Sequence, residues 1–210
     1  MSASQRQILL VLRAQCGDRQ AFDELLAGVQ LRLQRFLFGL IGDAHAADDV
    51  LQETFVIVWK KLGWLRDPEL FGPWMHRIAK REAYRRMRRE GARLEVELDA
   101  GAVEFANAGA ADLANVADAQ AAARSDEGAA TARADELERL PELVAGIPAG
   151  SRAVLLLHYW EGMSLEQAAE VLELPLGTVK SRLSYGLAAL RRMTQRSALQ
   201  REPRSQRKAR

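Results

Sequence analysis

Apolar residues recur at spacings of three and four along the first part of the chain, and before residue 90 they form no alternating stretch. Ile8, Leu9 and Leu12, then Phe22, Leu25, Leu26 and Val29, set a pattern that predicts amphipathic helices from Gln5 to Leu62. Asp18 stands where a second helix needs an N-cap, and Gly42-Asp43 breaks the pattern before a third. Residues 63–73 (GWLRDPELFGP) carry two prolines and two glycines and read as a structured loop. A further helix is expected from about Trp74 to Glu90.

The pattern then lapses. Of the 46 residues in 91–136, 17 are alanine and one, Phe105, is aromatic, which is too little bulk to build a core. This segment predicts a flexible linker, with a transient helix somewhere in 111–136 allowed by alanine's propensity. Apolar residues return near Leu137, where Pro141 and Pro148 bracket short segments and Ser151 to Trp160 predicts an apolar helix. Glu161-Gly162-Met163-Ser164 is a turn. Ser164 and Gln167 have the spacing of a capping box for a helix Leu165–Leu172, whose Leu165, Ala168, Ala169 and Leu172 form one stripe. Glu173-Leu174-Pro175 ends that helix, and another follows from about Gly177 to Arg192. Helix, tight turn, helix predicts a helix-turn-helix. The fold class expected is all-α: two small helical domains, 1–90 and 137–194, joined by a long flexible linker, 91–136, with a basic, frayed tail at 195–210.

Charge sharpens this plan. The 210 residues sum to a formal net charge of only +2, yet residues 71–90 carry +5, residues 91–136 carry −7 and residues 187–210 carry +7. Two basic blocks flanking an acidic one point to a polyanionic partner. No apolar run approaches the roughly 18–20 residues that span a bilayer, and there is no signal-peptide pattern, so membrane insertion is not expected and the cytoplasm is the expected compartment. The single cysteine, Cys16, excludes an internal disulfide framework and reads as a small buried apolar residue in preference to a redox thiol. His45, His76 and His158 share no metal-ligand spacing, so neither metal nor cofactor is expected. No nucleophile elbow or P-loop occurs, and no catalysis is expected.

Three helix faces carry the candidate chemistry. In the last helix Val179, Leu183, Gly186 and Leu190 fall on one side, with Thr178, Ser181, Arg182 and Tyr185 opposite and Lys180 and Ser184 flanking. A front of hydroxyls and cations suits the DNA major groove, where Arg pairs guanine and Lys holds phosphate. Taken alone, an ordinary solvated face has the same pattern. In the basic helix Arg77, Lys80, Arg81, Tyr84 and Arg88 form one stripe, cations interleaved with an aromatic, which fits a phosphate backbone and unstacked bases. In the third helix Leu51, Phe55, Val58 and Leu62 point inward, leaving Asp49, Gln52, Glu53, Val56 and Lys60 outside. Spacing alone fits protein docking and plain solvation of that face equally well.

DDVLQETFVIVWKKL (48–62), the loop, and FGPWMHRIAKREAYRRMRR (71–89) together resemble conserved region 2 of bacterial sigma factors. Residues 137–193, centred on AGSRAVLLLHYWEGMSLEQAAEVLELPLGTVKSRL (149–183), resemble region 4. This two-region plan is similar to that of the extracytoplasmic-function (ECF) group of the sigma-70 family. The resemblance implies a dissociable subunit that binds core RNA polymerase, directs it to specific promoters and helps open the DNA. By the same resemblance Asp49, Gln52 and Glu53 dock on the clamp coiled coil of the β′ subunit. Leu65, Phe71, Trp74, Arg77, Lys80, Arg81, Tyr84 and Arg88 then belong to the elements that open the minus-ten promoter element and hold its non-template strand. Thr178, Lys180, Ser181, Arg182 and Tyr185 belong to the helix that reads the minus-thirty-five element, the acidic linker threads the polymerase, and an anti-sigma factor is an allowed partner. The chain also departs from the family. Lys80-Arg81 and Arg85 stand where Arg-Asn and a later Asp are common. Glu173 replaces the usual turn glycine, so the turn must avoid positive φ or bear its strain. A standalone helix-turn-helix regulator is the competing reading, and it leaves the Asp49/Gln52/Glu53 face and the basic helix unexplained.

Overall fold

The computed structural model describes residues 3–89 and 144–201, with side chains as far as Met193. Among these residues every regular element is helical. The linker expected at 91–136 and the tail beyond Arg201 lie outside the described residues.

Helices α1 (Ala3–Gln15), α2 (Arg19–Ile41), α3 (Ala44–Lys61) and α4 (Phe71–Arg89) build an N-terminal bundle. Its joints are made by the residues that the sequence pattern singles out. Asp18 caps α2, its Oδ1 accepting the Ala21 N–H at 3.0 Å, while Arg13 donates to its Oδ2 from Nε at 2.9 Å. Gly42 ends α2 at φ 84°, a left-handed conformation open to glycine without strain, and its N–H reaches the Phe38 carbonyl at 2.7 Å. Asp43 then caps α3 through Ala46 N–H at 2.7 Å. The loop between α3 and α4 consists of two short 3₁₀ turns, Leu62–Trp64 and Pro68–Leu70. The Gln15 side chain pins it by donating to the carbonyls of Leu62 (2.9 Å) and Leu65 (2.8 Å). Phe36, Phe71, Leu33, Leu37, Leu40 and Met75 fill the centre of the bundle. Helix α4 begins at Phe71 rather than Trp74, because Pro73 falls in the first turn, where a missing N–H removes no hydrogen bond.

The C-terminal unit contains a 3₁₀ turn at Val144–Gly146 and helices α5 (Ala149–Leu155), α6 (Leu165–Leu172) and α7 (Leu176–Arg201). The single helix expected over Ser151–Trp160 is α-helical only to Leu155 and continues as one π turn, Leu156–Trp160. Both halves of the capping box form: Gln167 N–H donates to Ser164 Oγ at 3.1 Å and Ser164 N–H to Gln167 Oε1 at 3.0 Å. At Gly186 a Cβ would stand 2.8 Å from Leu155 Cδ1, so the absence of a side chain is what lets α7 lie close on α5. Helix α7 runs to Arg201 instead of stopping at Arg192, since the chain offers good helix formers and no breaker before Pro203. Cys16, expected to be buried, is exposed: it sits in the turn between α1 and α2, past the last residue that α1 tucks inward.

The two units pack on each other. Most of their buried residues form one contiguous apolar cluster and Met87 meets Ala149 in a smaller one, with α6 lying against α4 and the π turn against α2. Trp160 Nε1 donates to the Arg32 carbonyl at 3.3 Å, and Arg32 returns a bond to the Glu161 carbonyl at 3.0 Å. The Arg35 guanidinium lies 5.3 Å from the centre of the Trp160 ring. Arg152 donates to the Leu40 carbonyl at 2.9 Å, and His76 Nε2 stands 3.2 Å from Glu161 Oε2 in a part of the seam closed to solvent.

Candidate nucleic-acid and protein interfaces

Helix α3 sorts its faces as its spacing requires. Leu51, Val58 and Leu62 are buried and Phe55 half-buried, whereas Asp49, Gln52, Glu53, Val56 and Lys60 are exposed. Asp49, Gln52, Glu53, Val56 and Ile57 form one wall of an open groove of about 570 Å³, and Arg85 and Arg86 of α4 form the other. Arg85 pairs with Glu53 at 3.1 Å and Arg86 with Asp49 at 3.2 Å. Such exposed pairs contribute little to folding, so these carboxylates can change partners at small cost. Val56, 51% exposed, adds an apolar contact in the middle of a charged surface.

On α4 the structure keeps the stripe together but covers part of it. Arg81 and Arg88 are exposed, Arg77 and Tyr84 half-buried, and Lys80 is only 4% exposed. The cover is the turn after α6. Lys80 Nζ stands 3.0 Å from Glu173 Oε2 and 3.3 Å from the Leu172 carbonyl, while Arg81 bonds the other Glu173 oxygen. Burial pushes the Lys80 ammonium pKa down, with Glu173 working against that shift. The Arg81 and Lys80 hydrogen bonds hold the Glu173 carboxyl at about 2. Because this value lies below the ordinary 4.5, the contact stabilises closure fully above pH 4.5 and loses that contribution as pH falls towards 2. Interdomain distances measured by paired labels are therefore expected to stay constant from neutral pH down to about 4.5 and to lengthen below it. Tyr84, packed under the same seam, has its phenol pushed up to about 12 by burial, opposed by Arg182 and Arg152.

The loop ahead of α4 differs from the reading by residue. Leu65 (8% exposed) and Phe71 (0%) belong to the core and shape the loop from beneath, and Trp74 is half-buried, tilted against Phe71 at 6.2 Å. The aromatic that faces outward is Trp64, 77% exposed. Sequence reasoning passed over it, although a tryptophan in a Gly/Pro loop lacks the i±3 and i±4 apolar neighbours that would bury it.

On α7 Val179, Leu183 and Gly186 are buried as their spacing predicts. Lys180 is exposed and Thr178, Ser181, Ser184 and Tyr185 half-buried. Arg182 is 6% exposed, its guanidinium stretched over Gly150, where a Cβ would meet Nη1 at 3.0 Å. Three residues from Val179 and four from both Gly186 and Thr178, it lies about 60° from the first and about 40° from each of the others around the helix, on the border between the apolar stripe and the polar front.

What these surfaces offer is non-covalent: carboxylates for a basic partner, cations and aromatics for a nucleic acid. No cluster of three metal-ligating side chains and no helix long and apolar enough to cross a membrane occurs among the described residues.

Comparison with known proteins matches this geometry. The family model for sigma-70 region 2 matches residues 25–93 and that for sigma-70 region 4 matches residues 137–190. The RNA polymerase sigma-H factor of Pseudomonas aeruginosa is 31% identical over 176 residues, 83% of this chain and 86% of that protein. The ECF RNA polymerase sigma factor SigW of Bacillus subtilis is 26% identical over 84% of this chain and 90% of its own. Among solved structures, CnrH in complex with the cytosolic domain of CnrY superposes with a TM-score of 0.59 at 24% identity, covering 90% of this chain and 97% of that one. The sigma factor RpoE of Bartonella quintana, solved with the anti-sigma factor NepR, gives 0.57 at 23% identity, covering 83% and 96%. At that identity these two establish the shared fold, and the family models with the sigma-H relative establish the lineage. The chain belongs to the ECF group of the sigma-70 family, the subunits that give RNA polymerase promoter-specific initiation.

Proposed function

We propose that three surfaces divide the work of initiation. Asp49, Gln52 and Glu53 on α3 dock on the clamp coiled coil of the polymerase β′ subunit. The α4 stripe (Arg77, Lys80, Arg81, Tyr84, Arg88), with Trp74 and the loop shaped by Leu65 and Phe71, opens the minus-ten element and holds the non-template strand. Thr178, Lys180, Ser181 and Tyr185 of α7 read the minus-thirty-five element as duplex, joined by Arg182 once its guanidinium swings away from Gly150. The observation that carries this reading is the pairing, in one bundle, of an exposed acid-and-amide face on α3 with a cation-and-aromatic stripe on α4. A standalone operator-binding regulator needs neither.

The chemistry in this scheme is physical: cations hold phosphates while an aromatic-lined loop takes an unstacked base. The chain contributes specificity and the polymerase contributes catalysis, which places its work in the cytoplasm. Residues 91–136, which separate the two units in the sequence, carry a net charge of −7 that suits a channel built for nucleic acid. Two structures of similar fold are complexes with CnrY and NepR, the latter an anti-sigma factor, which supports a similar protein partner here.

Arg182 and Lys180 test the duplex assignment. Arg182→Ala is expected to lower initiation by about 10- to 150-fold on promoters with the preferred minus-thirty-five sequence, the worth of a bidentate base contact, and far less when that sequence is scrambled. Lys180→Ala is expected to weaken binding evenly across sequences and to flatten the salt dependence. Equal losses for Arg182→Ala on every sequence would remove it from base reading.

A further inference from the structure

Glu173 stands out among the described residues. It is the one non-glycine there with positive φ (φ 59°, ψ 43°), in a turn that glycine would make without strain. A residue with a Cβ costs stability at that point, and its carboxylate does no work inside the C-terminal unit. It reaches across the seam instead, where its two oxygens meet two cations of α4: Lys80 Nζ at 3.0 Å on one and Arg81 on the other. The same ammonium is 3.3 Å from the Leu172 carbonyl, the last of α6, where the helix presents the negative end of its dipole. A carboxylate and a helix-end carbonyl oxygen offered to a Lys–Arg pair reproduce the acceptor oxygens that a nucleic-acid phosphate offers. Lys80 is 4% exposed in this arrangement, and lysine is rarely buried unless paired. Its ammonium cannot serve Glu173 and a DNA backbone at once.

We propose that Glu173, with the carbonyl end of α6, is an internal stand-in for phosphate that latches the two units together and masks Lys80 and Arg81 until the units part. The masking half rests on the reading of α4 as the strand-binding stripe, while the latch itself rests on the seam alone. Held at about 2, the carboxyl is ionised at every pH at which transcription runs. The rest of the seam, from Trp160 on Arg32 to Arg152 on Leu40, persists when the latch is cut. Loss of Glu173 therefore shifts the balance between closed and open chains without abolishing closure.

The test uses the full chain labelled at Cys16, which is exposed, and at a second site made by Glu170→Cys on the exposed side of α6. Single-molecule energy transfer reports the open fraction, and fluorescence anisotropy reports affinity for a single-stranded oligodeoxynucleotide. Glu173→Gly, which relaxes the backbone while deleting the carboxylate, is expected to raise the open-to-closed ratio on the order of tenfold and to tighten single-strand binding in proportion. Glu173→Lys is expected to open the chain further, and adding Arg81→Glu to restore part of the closure. Unchanged distances in both single variants, with unchanged melting temperatures, would overturn the latch. Opening without any gain in single-strand affinity would support the latch and overturn the masking, and with it the assignment of the α4 stripe.

Discussion

Glu53→Lys is expected to weaken binding of core RNA polymerase by roughly 30- to 100-fold while leaving the fold intact, the range seen when a charged contact in an interface loses its partner. Glu53 is exposed on α3, and its present partner, Arg85, lies 3.1 Å away across an open groove. An exposed pair of this kind contributes little to stability, so the melting temperature is expected to change by no more than a surface substitution normally causes. The reversed charge, however, sits beside Arg85 and Arg86, and together they turn an acidic docking face into a basic one. A basic partner then meets repulsion in place of attraction. Affinity for purified core polymerase, measured by competition at two salt concentrations, checks this, and the deficit is expected to shrink as salt screens it. Undiminished affinity in a folded Glu53→Lys protein would remove α3 from the docking surface.

Phe71→Ala carries the largest expected stability loss, about 3–5 kcal/mol, as for truncation of a fully buried phenylalanine. Phe71 is 0% exposed, opens α4 and packs against Trp74 at 6.2 Å beneath the loop. Removing it leaves a cavity at the point where loop, helix and bundle core meet. Urea unfolding is the measurement, with Trp64→Ala as the contrast. Trp64 is 77% exposed, so its removal is expected to leave stability within about 0.5 kcal/mol and to impair promoter opening instead. If Phe71→Ala proved as stable as the parent yet failed to open promoters, Phe71 would be a base contact and not part of the core.

These two residues illustrate what can be read from a chain of this kind. Features set by near neighbours were legible: the Asp18 cap, the break at Gly42-Asp43, the Ser164/Gln167 box and the inward stripe of α3 each depend on residues within four positions. The outward face of α3 was legible as a face, though periodicity could not say whether it docks or is merely solvated. Features set at long range were not. Leu65 and Phe71 lie in the core of a bundle whose loop Gln15 of α1 pins from 47 and 50 positions away along the chain, while Trp64 faces outward. Lys80 is buried only because the turn after α6 lies on it, a contact that no window along the chain contains. Arg182 was within reach of helix geometry, since its angle from Gly186 already put it at the edge of the apolar stripe. Glu173 is a misfit where the turn favours glycine, and the structure resolves the misfit as a left-handed residue held by cations from the other unit.

The division of labour among α3, α4 and α7 is tested most directly by transcription of genomic DNA in vitro by core polymerase with and without this chain, with the 5′ ends of the transcripts mapped. A limited set of start sites is expected to arise only when the chain is present, sharing one sequence near minus ten and another near minus thirty-five. At a limiting concentration of the chain, Glu53→Lys is expected to weaken the whole set evenly and Arg182→Ala to thin it according to the minus-thirty-five sequence. The same start sites with and without the chain would contradict the account.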